Sequence, residues 1–427
     1  MKKWICGLSL VLALPALGQR VVSQSFFGMH VKSPAVLANM PIKFGTVGPM
    51  PGSAWKWLEP QPGQWNWGGY DAWVKAANSK GYDVIYSFVR TPQWAAPAVN
   101  LPPTDLNSTA PCDPPARGNG DCMFKSFVYA LVSHYKGKIK YYQIWNEPNS
   151  SGFWSGTPQE LAHMAQDAYA IIHSVDPGAQ VLTPVTTPSG YPTKHDAWLT
   201  EYLRAGGAQA ADIGTWHGYL QAITFGTPWP EHADSPTPGC TVGTWKCPGS
   251  VLDSYRAIRA VMDANGMSGK ELWDTEGGWG VNDPKHTDLA DPNQQSAWLA
   301  RWFIVQAGAG VQRAVWYMFD ATDGWGTLWD QSTGLHPAGV AYQQVYNWLI
   351  DATISPCAQN RKVWSCDLTR PGGYQARIVW SDSGSGSYSV PAPFTAIRDL
   401  TGATRAVEGG AVTLDASPVL LESKAGQ

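Results

Sequence analysis

Between Phe26 and Ile350 the chain repeats one pattern: a short apolar run of strand composition followed by a segment with helical spacing. The strand-like runs are Phe26 to His30, Pro41 to Phe44, Asp83 to Phe88, Ile139 to Trp145, Gln180 to Thr183, Asp212 to His217, Glu271 to Glu276 and Val311 to Tyr317. Helical segments include Tyr70 to Lys80, Met123 to Tyr135, Pro158 to Val175, His195 to Arg204, Val251 to Asn265, Asn293 to Ala307 and Pro337 to Leu349. Such alternation demands a parallel sheet with helices packed on it. Eight units, or seven if the thin second one is misread, spread over about 325 residues fit a (β/α)8 TIM barrel. An open doubly wound sheet is the rival, and it would concentrate chemistry at one switch point. Here polar residues end many strands: His30, Arg90, Glu147, His217, Glu276 and Tyr317. A barrel gathers all of them on one rim, so the barrel is the expected α/β architecture.

After Ile350 the period changes to two. Ala376, Ile378 and Trp380 share one face, a Ser/Gly-rich turn follows, and Val419-Leu420-Leu421 reads as a last strand. A small all-β, sandwich-like module over 351–427 is expected to pack on a catalytic barrel over 19–350, because a module of this size is marginal alone. Residues 1–18 read as a signal peptide: Lys2 and Lys3, an apolar stretch from Trp4 to Leu17, and the small-x-small sequence Ala16-Leu17-Gly18. That predicts a secreted or periplasmic protein with no membrane span. Six cysteines then remain. Local pairs Cys112–Cys122, Cys240–Cys247 and Cys357–Cys366 are the simplest disulfides for such a compartment, and their spacings match no common zinc pattern.

The chemistry is carried by two glutamates. Glu147 closes the fourth strand-like run and Glu276 the seventh, so a barrel presents both at one mouth. Cleaving a glycosidic bond takes two carboxyl groups, one to protonate the leaving oxygen and one to attack carbon or activate water. The 23 tryptophans exceed what packing needs, and sugar rings offer flat C–H faces for the surplus. A net charge of -3 with 15% charged residues gives no basic patch for nucleic acid. No phosphate loop, dinucleotide fingerprint or Gly-x-Ser-x-Gly elbow is present. Two carboxylates suffice for the reaction, so neither metal nor organic cofactor is implied. Asn107 and Asn149 match the glycosylation pattern, but a glycan on Asn149 would crowd the mouth.

Ile144-Trp145-Asn146-Glu147-Pro148-Asn149 and Trp273-Asp274-Thr275-Glu276-Gly277 resemble the strand-four and strand-seven motifs of clan A retaining glycoside hydrolases. Trp57-Leu58-Glu59-Pro60, Gly63-Gln64-Trp65-Asn66-Trp67, Thr91-Pro92-Gln93-Trp94-Ala95 and His217-Gly218-Tyr219 add to the likeness, which is nearest to glycoside hydrolase family 39. The resemblance implies a retaining hydrolase of a plant or microbial polysaccharide or oligosaccharide, with Glu147 as acid/base and Glu276 as nucleophile. It further implies that Tyr219 holds the nucleophile and that Asn146 donates to the sugar 2-hydroxyl. His217 would line the same subsite, Trp316 would be its stacking floor, and His30, Trp94 and Trp279 are further candidates for the rim. The clan often carries an arginine at the end of strand two. Here Lys43-Phe44-Gly45-Thr46-Val47-Gly48 has none, so either Arg90 substitutes or strand two lies elsewhere. A non-catalytic carbohydrate-binding protein and a transglycosylase are the alternatives; retention of both glutamates with Asn146 and Tyr219 argues against the first. A monomer is expected.

Overall fold

The computed structural model describes residues 20–50, 52–108, 122–187, 195–219, 250–280, 291–321, 326–382 and 384–423. The segment 1–18, expected to be a leader, and Cys112, Cys240 and Cys247 lie outside these residues.

Eight parallel strands form the centre: β1 (Phe27–Met29), β2 (Thr46–Val47), β3 (Asp83–Ser87), β4 (Tyr141–Gln143), β5 (Gln180–Leu182), β6 (Gly214–His217), β7 (Leu272–Gly277) and β8 (Ala314–Trp316). Their spatial order is β5-β4-β3-β2-β1-β8-β7-β6. Parallel bridges from Leu182 to Ile213 and from Thr186 to Trp216 join the two ends, closing the barrel. The helices are α1 (Pro34–Ala38), α2 (Trp55–Leu58), α3 (Gly68–Ser79), α4 (Met123–Tyr135), α5 (Pro158–Val175), α6 (His195–Tyr202), α7 (Val251–Ala264), α8 (Pro292–Ala309) and α9 (Pro337–Leu349). The expected barrel is present, and its second unit is genuine although thin.

Local chemistry explains the long helices. Thr157 and Glu160 form a reciprocal cap on α5, whose inner stripe is Leu161, Met164, Ala165, Ala168 and Ile172. Ser250 and Asp253 cap α7 in the same way. Helix α8 is buried from Gln295 to Gly308. A helix buried all round must have neighbours on every side.

Strand two is not where the apolar run sits. Pro41 to Phe44 precedes it; Phe44 leaves the ladder to stack on Tyr82, with ring centroids 4.1 Å apart. Apolar character marks burial, and a buried loop reads like a strand. The pairing residues are Thr46 and Val47, in register with Gly28 and Met29 on one side and Asp83 and Val84 on the other. The segment leaving β2 is Gly48-Pro49, so correcting the strand still supplies no arginine.

Inside the barrel, Ile85, Tyr141, Leu182, Ile213, Trp273 and Val315 form a separate apolar layer. Below them Arg313 lies between two rings, 4.3 Å from the Trp273 centroid and 4.7 Å from that of Tyr141. Its guanidinium is 2.7 Å from Asp83 and donates to the Tyr141 hydroxyl at 2.7 Å. These residues stand at strand beginnings, so the N-terminal end is plugged and the C-terminal end is left for a site.

Beyond α9 the chain is antiparallel. Val363–Arg370 pairs with Tyr374–Ser381, which pairs with Val419–Glu422. Gly386–Ser389 and Ala411–Leu414 form a second small sheet. Val379, Ile397, Val412, Leu414 and Leu421 make their own core. Cys357 and Cys366 are disulfide-bonded. Val21 bridges to Thr353, so the start of the described chain also joins this module. Among the described residues no helix is long and apolar enough to cross a membrane.

Candidate active site

The backbone after β4 turns abruptly. Trp145 and Glu147 have φ of 70° and 42°, in the left-handed region where non-glycine residues are disfavoured. The turn is held by neighbours. The Trp145 indole donates to the Phe153 carbonyl at 3.0 Å and packs edge-on against Trp154. Asn149 is buried and exchanges two hydrogen bonds with Thr187, 2.7 and 3.1 Å, tying this turn to the end of β5. Both ends of its side-chain amide are engaged inside the fold.

On the opposite wall, the pairing of β7 is irregular on both sides. Its register slips between Trp216 and His217 of β6, and between Asp274 and Gly277 along its edge with β8. A strand side chain alternates faces, and Trp273 points into the barrel layer. The bulge breaks that alternation and re-aims Glu276 into the mouth.

There the two glutamates meet one histidine. His217 places Nδ1 2.8 Å from Glu147 Oε1 and Nε2 3.5 Å from Glu276 Oε2. An oxygen of Glu147, a nitrogen of His217 and an oxygen of Glu276 all lie within 4.8 Å of one another. Burial pulls the His217 pKa down, but the charge of Glu276 and the hydrogen bond and charge of Glu147 raise it above the ordinary value. These three residues also count as a possible metal-ligand set. The imidazole, however, turns its two nitrogens toward different carboxylates, as a doubly protonated ring does and a single metal ion could not exploit.

Tyr219 donates to Glu276 Oε1 at 2.7 Å. Burial, then the adjacent Glu276 charge, pushes the Tyr219 pKa well above the usual value, so the hydroxyl keeps its proton. His30 is buried at the end of β1 with Nε2 4.0 Å from Glu276 Oε2. The same ring sits 3.0 Å from the Thr275 carbonyl and 3.2 Å from that of Pro49. Burial lowers its pKa, against the pull of Glu276. A Cβ on residue 48 would come within 2.4 Å of this ring, which is why glycine follows β2. Asn146 is half-buried beside Glu147, its backbone bridged to Val185.

Other candidates stand elsewhere. Arg90 donates to the Gly152 carbonyl at 2.6 Å and covers the Phe153 ring; it holds the loop after β4 rather than Glu276. Trp316 is fully buried, with Trp279 and Trp302 packed around it and its indole donating to Gly326. It does not offer a face to a sugar. Trp279 is buried between Trp298 and Trp316 and is likewise no rim residue. Trp94 is half-buried, edge-on to Trp55, and donates to the Glu59 carbonyl.

Tyr317, the next residue after Trp316, is half-buried and reaches the site: its ring is 5.1 Å from that of His30. Its place at a strand end was visible in the sequence. The choice between neighbouring rings was not, since one residue decides which face of β8 a side chain takes.

No family model matches this sequence, and no curated protein matches it. Solved structures do. A family 39 glycoside hydrolase from the gut symbiont Bacteroides cellulosilyticus WH2 aligns with a TM-score of 0.71 at 16% identity, over 95% of this chain and 82% of that one. A glucosidase from Croceicoccus marinus aligns at 0.61 and 14% identity, over 94% and 96%. A family 39 β-xylosidase from Caulobacter crescentus aligns at 0.60 and 15% identity, over 95% and 98%. The likeness is one of fold, and it spans the barrel and the antiparallel module together.

Proposed function

We propose that the chain is a retaining glycoside hydrolase acting on a plant or microbial polysaccharide or its oligosaccharides. The observation that carries this is the pair of glutamates on opposite walls of one barrel mouth, with nearest oxygens no more than 4.8 Å apart. Retention takes carboxyl groups about 5 to 5.5 Å apart, whereas inversion needs about 6.5 to 9.5 Å to admit a water. The spacing supports double displacement.

The two glutamates are not equivalent. Glu276 receives the Tyr219 hydroxyl at 2.7 Å and faces the cationic edge of His217, an environment suited to a carboxylate nucleophile. Glu147 is hydrogen-bonded to His217 Nδ1 at 2.8 Å, and through that contact the imidazolium supplies the proton that Glu147 passes to the leaving oxygen. After the glycosyl–Glu276 ester forms, Glu147 takes a proton from water, and the hydroxide equivalent displaces the ester. Asn146, beside the acid, and Tyr317, at the next wall, are placed to contact the sugar. The chain's likeness in fold to hydrolases of several glycosides supports the carbohydrate class. Export through the leader is part of the same reading.

The test is a panel of aryl glycosides and polysaccharides run on the wild type, Glu147→Gln and Glu276→Gln, with the anomer of the first product followed by proton NMR. Cleavage abolished by both substitutions, with the starting anomer retained, is the expected result. Cleavage that survives Glu276→Gln refutes the nucleophile assignment. Binding of a glycan without cleavage would replace the enzyme by a carbohydrate-binding protein.

A further inference from the structure

Asp274 is a carboxyl group that the proposed reaction does not use. It lies two residues before Glu276 on β7 and is fully buried. Its Oδ1 accepts the amide of Gly218 at 2.8 Å and, more weakly, that of Glu276 at 3.4 Å. Gly218 also donates to the Glu276 carbonyl at 2.9 Å, so its amide is shared across the bulge. Oδ2 has no hydrogen-bond partner. It rests instead on Gly218, where a Cβ would come within 1.9 Å of it.

Gly218 separates His217 from Tyr219, two residues that contact the Glu276 carboxylate. A bulge leaves amides that a regular ladder would have paired, and buried amides need acceptors. Asp274 meets two of them with one oxygen. We propose that Asp274 is a positioning residue which holds the ends of β6 and β7 together, and that it does so as an uncharged carboxylic acid. This rests on the glycosidase reading for its consequence in catalysis, though not for its geometry.

The uncharged form follows from the contacts. An oxygen with no partner costs a buried anion far more than it costs a buried neutral acid, and Oδ2 has none. The titratable groups facing Asp274 are His217 and Glu276. His217 already has two carboxylates to balance; a third buried anion would leave the cluster without compensation. Burial pushes the Asp274 pKa well above the usual carboxylate range, with the Gly218 amide and His217 opposing it, in agreement with the geometry.

The experiment compares Asp274→Asn, Asp274→Ala and Gly218→Ala with the wild type on the aryl glycoside it cleaves fastest, with thermal unfolding as a folding control. Asparagine keeps the oxygen and matches an uncharged acid. Its kcat is expected within about threefold of wild type and its pH profile unmoved. Alanine at 274 is expected to lower kcat about tenfold or more with little change in KM, because the Glu276 contacts drift. Gly218→Ala, which drives a methyl into Oδ2, is expected to fall likewise. Asp274→Ala with wild-type kcat and pH profile overturns the positioning role. Asp274→Asn falling as far as alanine, with a displaced pH profile, overturns the uncharged form.

The His217 imidazole signal, followed through pH by ¹⁵N NMR, reads the same inference without substrate. It should titrate as in wild type in Asp274→Asn and be displaced in Asp274→Ala. A wild type inert on every glycoside would refute the glycosidase reading, and this titration would then decide the Asp274 inference alone.

Discussion

Replacing Tyr219 by phenylalanine removes one hydroxyl and leaves the ring. That hydroxyl makes the one hydrogen bond that the Glu276 carboxylate accepts from a described residue, at 2.7 Å. The next donors, His217 Nε2 at 3.5 Å and His30 Nε2 at 4.0 Å, are too distant to replace it without movement. A hydrogen bond to a charged group contributes about 1.5 to 3 kcal/mol. The Glu276 side chain is 18% exposed, so water recovers part of the loss and the lower half of that range applies. About 1.5 to 2 kcal/mol corresponds to roughly a 10- to 30-fold fall in kcat/KM. The assay is steady-state hydrolysis of an activated aryl glycoside, with a pre-steady-state burst to separate formation of the glycosyl-enzyme from its breakdown. The loss should appear in the first step, where Glu276 must be held in line. A kcat/KM within about twofold of wild type, in a protein of unchanged unfolding temperature, would refute the reasoning.

Arg313→Met should destabilise the barrel by about 1 to 2 kcal/mol in urea unfolding, since it removes the close contacts to Asp83 and the Tyr141 hydroxyl and leaves both to Lys140; a change under about 0.5 kcal/mol would show that the guanidinium contributes little. His217 has a raised folded pKa, so its proton stabilises the fold fully below the unfolded value of about 6.5 and ceases to do so as pH rises through the folded value. The stability gap between wild type and His217→Gln should therefore narrow as pH rises from about 6.5 through the raised folded value, and a gap that widens contradicts the assigned charge. Replacing both Cys357 and Cys366 by serine opens a disulfide of sequence separation 9 and should cost about 2 to 3 kcal/mol, read by thermal unfolding with and without reductant.

Much of this protein was legible in order along the chain. Helices such as α5 and α7 announce themselves through caps and an apolar stripe, both local properties. The alternation of such helices with apolar runs leaves few topologies, and a barrel puts every strand end on one rim. Glu147 and Glu276 were therefore placed at a common mouth by their positions in the chain alone.

What the tertiary structure decided is which way side chains face. Trp316 and Tyr317 are adjacent, and only the register of β8 against β1 and β7 buries the first and presents the second. Arg90 was a candidate support for the nucleophile until the loop after β4 folded back to occupy it. Strand two lies past its apolar run because Thr46 and Val47 find partners on both sides, a matter of pairing rather than composition. The bulge that turns Glu276 inward, and the Asp274 carboxyl beneath it, arise from contacts between residues 56 positions apart. Periodicity is a local property and the sequence carries it; register, burial and charge pairing are set by long-range neighbours, which exist only once the barrel has closed.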